Sequence, residues 1–141
     1  MIFNRPWIVF VQFLAGLIFA VVFLIRFGVA LSLWDFLSQL PLAVSPLYQV
    51  LSGLVWGMAG LWVCLWIWQG NPRAPQATRI LSVTYALYYW IDQLLIMSSD
   101  LRQTNWLFLA IFTGILLVLV FLSFQPAAVK EFFGEEYEQE E

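Results

Sequence analysis

The chain has 141 residues, of which 62% are hydrophobic and 11% charged; it has no His, one Cys and six Lys and Arg together. With a mean hydropathy of +0.85, this balance excludes an ordinary water-soluble domain. The absence of His and of paired Cys argues against haem, zinc and iron–sulfur chemistry and against Ser-His or Cys-His catalysis. The expectation is a multi-pass membrane protein that is not an enzyme and carries neither cofactor nor metal.

A spanning helix needs roughly 20 mostly apolar residues to cross a hydrocarbon core of about 30 Å. The first such run, Trp7 to Ile25, is broken only by Gln12, and the span is expected to continue to about residue 31. Arg5 precedes it, and Gly28, Val29 and Ala30 resemble a small-residue cleavage site, but 19 apolar-rich residues before Arg26 exceed the h-region of a signal peptide. The segment reads as a retained anchor. In its strip of Gln12, Gly16 and Ala20, spaced by four and matching the second span, the small side chains allow close helix contact and Gln12 supplies a hydrogen bond.

Between Ser32 and Pro46, polar Ser32, Asp35, Ser38 and Gln39 recur at helical spacing among Leu33, Trp34, Phe36, Leu37 and Leu40. The pattern suggests a short interfacial helix capped by Ser32, with an ordinary loop as the alternative. The second span, 47–68, carries Gly53 and Gly57 in a GxxxG spacing that Gly60 and Cys64 extend along one face. Gly53, Gly57, Gly60, Gly16 and Ala20 together form the candidate helix-packing face, either within the bundle or between copies. Cys64 reads as a small packing residue, since it has no second thiol in its chain.

The segment QGNPRAPQATR, Gln69 to Arg79, is read as a helix-stopping turn held on one side of the membrane by Arg73 and Arg79. The third span, 80–98, contains Asp92 and Gln93; an Asp at the bilayer centre opposes insertion by about 2.5 to 3.5 kcal/mol, which the surrounding Leu and Ile residues offset. Asp92 lies about 18 Å along that helix from Ile80. Steps of three and four back from it meet Tyr89, Tyr85 and Ser82, with Tyr88 alongside, so one face is a stripe of hydroxyls ending in a carboxylate. The candidate intramembrane polar site is Asp92, Tyr85, Tyr88, Tyr89 and Gln93, with Arg26 as the candidate cation. A carboxylate there reads either as an interhelical hydrogen bond, the leading reading, or as an ion or proton relay. Arg26 reads either as its partner or as a residue snorkelling to lipid phosphate.

The fourth span, 106–124, has only Thr113 and Ser123 as hydroxyls. The fold expected is therefore an all-α membrane protein of four transmembrane helices in an antiparallel bundle: residues 1–125 as one four-span domain and 126–141 as an acidic cytoplasmic tail. Lys130 to Glu141 holds six Glu and one Lys, while the remaining chain has five Arg and three Asp. That tail reads as solvated, or as a docking segment for a basic surface through Phe132, Phe133 and Tyr137. Arg5, Arg73, Arg79 and Lys130 fall on one side against Arg26 and Arg102 on the other, which puts both termini in the cytoplasm of a bacterial-type plasma membrane. The partners expected are the lipid bilayer and either a second copy or another membrane protein; no compact basic surface suits nucleic acid. Two functions remain open: a non-catalytic accessory, structural or regulatory component packing with itself or with a larger membrane complex, or a small homo-oligomeric transporter or channel using Asp92.

Overall fold

The computed structural model describes residues 6–39, 45–95 and 102–134, and these are helical apart from caps and turns. The elements are α1 (Trp7–Ser32), α2 (Trp34–Gln39), α3 (Pro46–Gln69), α4 (Ala74–Leu95), α5 (Arg102–Ser123) and α6 (Ala127–Phe132). Arg5, the last positions of the expected third span (96–98) and the Glu-rich run at 135–141 lie outside the described residues.

The boundaries follow local chemistry. Pro6 stands immediately before α1 and its carbonyl accepts the Val9 N–H at 2.9 Å. At the other end the Ser32 hydroxyl donates to the Gly28 carbonyl at 2.8 Å, one turn back, so it closes α1 and does not cap α2. α3 begins with Ser45 as N-cap, its hydroxyl oxygen accepting the Tyr48 N–H, and with Pro46 in the first turn, where a missing N–H costs nothing. It ends at Gly70, whose left-handed φ of 67° lets Gly70 and Asn71 donate back to Ile67 and Trp66. Asn71 then accepts the Arg73 N–H at 2.9 Å through its side chain, completing the turn. α4 starts at Ala74, six residues before the apolar run at Ile80, because capping and not hydropathy decides where a helix begins. Arg79 consequently stands within α4 and not in the turn.

Three helices, Trp7–Ser32, Pro46–Gln69 and Asn105–Ser123 of α5, are long and apolar enough to cross a membrane. α4 has 22 residues but falls outside this group, since Gln76, Thr78, Arg79, Ser82 and Asp92 dilute its apolar content. The apolar faces turned outward, including Trp7 (74% exposed) and Phe108 (67%), fit a hydrocarbon surround and not water.

α1 and α3 form the most intimate pair. A Cβ added at Gly53 would stand 2.9 Å from the Phe27 backbone nitrogen; one at Gly57 would meet Leu24, one at Gly60 would meet Phe19 and Ala20, and one at Gly16 would meet the Cys64 Sγ. The start of α3 therefore lies against the end of α1, and the two run in opposite directions. The missing side chains bring the backbones together, and dispersion between close-packed helices replaces the hydrophobic drive that lipid cannot supply. Ala20 is fully buried in this seam, and Cys64 is buried there as well. α4 packs on α3, and α5 packs chiefly on α4.

At the end of the molecule carrying the Gly70 turn, α6 folds back. Val129 and Phe133, each 1% exposed, join Val9, Val63, Ile67, Ala74 and Phe124 in one buried cluster. The first part of the C-terminal segment is thus a packed helix that closes this end of the core.

Candidate functional site

The hydroxyl stripe of α4 faces the interior on two levels. Toward the α4 C-terminus, the Tyr48 hydroxyl of α3 donates to Asp92 Oδ1 at 2.6 Å and lies 3.0 Å from the Tyr88 hydroxyl. Tyr48 has one hydroxyl hydrogen; with that hydrogen given to the carboxylate, Tyr88 donates to Tyr48, and the three groups form a chain Tyr88–Tyr48–Asp92. The helical hairpin creates this meeting, because residues near the start of α3 and the end of α4 are similarly far from the Gly70 turn. The rings of Tyr48 and Tyr88 also stack, with centroids 6.4 Å apart.

One turn nearer the Gly70 end, Tyr85 joins three helices. Its ring meets Phe19 and Phe23 of α1 at 4.9 and 5.5 Å and Trp56 of α3 at 5.1 Å, each edge to face. Such pairings contribute about 0.5 to 1.5 kcal/mol each beyond area burial. Tyr89 follows a further turn on, in ring contact with Tyr85 and Trp90.

Of the six residues expected at the polar site, Asp92 and Tyr88 come together, and Tyr85 and Tyr89 share the same helix face within ring contact. Gln93 is half-buried but outside the hydrogen-bonded chain, and Arg26 is exposed. The partner of Asp92 among the described residues is Tyr48. Tyr48 was legible as a polar residue near the start of the second span, but its pairing follows only from counting outward along both arms of the hairpin. The hydrogen bond expected of Gln12 goes to α5 and not to the second span: its Nε2 donates to the Ser123 hydroxyl, joining α1 and α5 near the Gly70 end.

Between α1, α3, α4 and α5 lies a cavity of about 510 Å³. Gly16 and Phe19 line it from α1, Val63 from α3, Leu81 and Tyr85 from α4, and Leu116 from α5. Its volume falls in the usual range of small-molecule sites, about 300 to 1,000 Å³. Asp92 is not part of its wall. Beside it, the Arg79 guanidinium sits over the rings of Phe121 and Phe124, at 5.8 and 5.7 Å.

Comparison with protein-family models, curated proteins and solved structures finds no match to this chain.

Proposed function

We propose that this chain is a non-catalytic, four-span component of a membrane assembly, with an antiparallel bundle of α1, α3, α4 and α5 and both termini on the cytoplasmic side. In this reading α4 is also a span: Arg79 near its start stands toward the cytoplasmic interface, and Asp92, about 20 Å further along the helix, stands in the outer half of the bilayer. The observation that carries the reading is the engagement of Asp92. The one acid in the four long helices is held by Tyr48 of a neighbouring helix, and the cavity wall does not include it. A carboxylate used to fasten two helices and set apart from the cavity supports a structural role over a relay. α5 supports the assembly part of the reading, since none of its most apolar stretch is buried by the rest of the chain, against 50% for α3. The face of that helix turned away from α4 is free for a neighbouring protein in the membrane.

The test is a pair of measurements on wild type and Asp92→Asn, which retains an acceptor for Tyr48. The expected outcome is unchanged proton and ion flux in liposomes and unchanged co-purification of membrane partners. Loss of a proton- or ion-dependent flux in a folded Asp92→Asn protein would overturn the proposal in favour of a small homo-oligomeric transporter.

A further inference from the structure

Four of the polar side chains along the cavity wall are engaged within the protein, and Tyr85 and Tyr89 line it as well. Thr78, Ser82 and Thr113 each donate to the carbonyl four residues back, at 2.8, 2.8 and 2.7 Å, and Gln12 donates to Ser123. What they leave facing the space is methyl, methylene and ring surface. A cavity of about 510 Å³ whose walls are mostly apolar suits a hydrocarbon chain better than a polar solute.

Arg79 presents the opposite case at the same end of the cavity. It follows Thr78 in sequence, and its guanidinium is held by Phe121 and Phe124, of which Phe121 follows Val120; Thr78 and Val120 both line the space. The Arg79 Nε is buried without a hydrogen-bond partner among the described residues. A buried guanidinium donor calls for an acceptor, and two aromatic faces fix its plane without supplying one. Arg79 stands about 8 Å along α4 from Ala74, the depth of a headgroup boundary if α4 spans the bilayer.

We propose that the cavity holds one anionic phospholipid, its acyl chain between α4 and α5 and its phosphate on the Arg79 guanidinium. The planar, permanently charged fork of Arg matches a phosphate diester, and the largely apolar walls match the chain. This binding rests on the membrane-spanning part of the functional reading and is independent of whether the protein has a protein partner.

Full-length protein is reconstituted in bilayers of equal phosphatidylglycerol and phosphatidylcholine with identical acyl chains, extracted in mild detergent and examined by native mass spectrometry. Wild type is expected to retain one lipid per chain, with phosphatidylglycerol favoured about fivefold, the effect of one cation close to an anionic headgroup. Arg79→Gln should retain a lipid but lose the preference. Ala86→Phe, which fills the cavity from α4, should lose the lipid while keeping the wild-type melting temperature; if it does not fold, Leu117→Trp fills the space from α5. A wild type that retains no lipid, or retains the two lipids equally, would overturn the proposal, as would a folded cavity-filling variant with undiminished lipid. Such a result would leave the role of Asp92, read by flux, untouched.

Discussion

The α1–α3 seam and the α4–α5 side both carry long apolar runs and pack in opposite ways. In the seam, Gly53 brings backbone against backbone, Gly16, Gly57 and Gly60 admit the side chains of Cys64, Leu24 and Phe19, and a side chain at any of the four would meet a neighbour at 3.0 Å or less. Across the cavity, Phe112, Leu116 and Leu117 of α5 face α1 and α3 without closing on them, and Gly114 has nothing within 4 Å of where its Cβ would stand. Hydrophobicity alone therefore does not close a membrane protein, because lipid competes for every apolar face. Small residues in register close it, and a few hydrogen bonds hold what remains apart.

The contrast breaks most readily at Gly53. Gly53→Leu forces its Cβ into the backbone of Phe27, which cannot move without separating the helices, and should cost about 3 kcal/mol in unfolding experiments in mild detergent or bicelles. A loss below about 1 kcal/mol would mean the seam is looser than described.

Tyr48→Phe and Asp92→Ala should each cost about 1 to 2 kcal/mol, toward the upper end for hydrogen bonds between membrane helices. The double variant should cost little more than either single one, since both remove the same bond. Independent, additive losses in the same unfolding assay would place Asp92 in some other interaction. Gln12→Leu, which removes the link between α1 and α5 at Ser123, should cost about 0.6 kcal/mol, near the average for such bonds. The smallest effect is expected at Gly114: Gly114→Leu meets open space and replaces a poor helix former, so stability should hold or rise by up to about 1 kcal/mol. A marked loss there would show a neighbour covering that face of α5.

The seam was readable from sequence because its signal is periodic: glycines at steps of three and four announce close approach whatever the partner. The hydroxyl stripe on α4 was readable for the same reason. Tyr48 as the partner of Asp92 was not, because the pairing depends on the length of two helices measured from their common turn, and Arg26 was the more conspicuous candidate by charge. Arg79 looked like a turn residue because hydropathy locates the hydrocarbon boundary, whereas Asn71 and Ala74 decide where the helix starts. α6 overlaps the start of a run that composition marks as solvated, yet Val129 and Phe133 supply the apolar pair that docks it. The cavity has no sequence signature at all, since it is the space left between four helices, and its wall mixes small residues such as Gly16 and Ala86 with large ones such as Phe112 and Leu116.

The account's central claim is that this protein works as a component of a membrane assembly, and native mass spectrometry of the chain gently extracted from its own host membrane tests it most directly. The prediction is a defined mass in which this chain accompanies a different membrane protein at fixed stoichiometry. A homo-oligomer free of other proteins would contradict it.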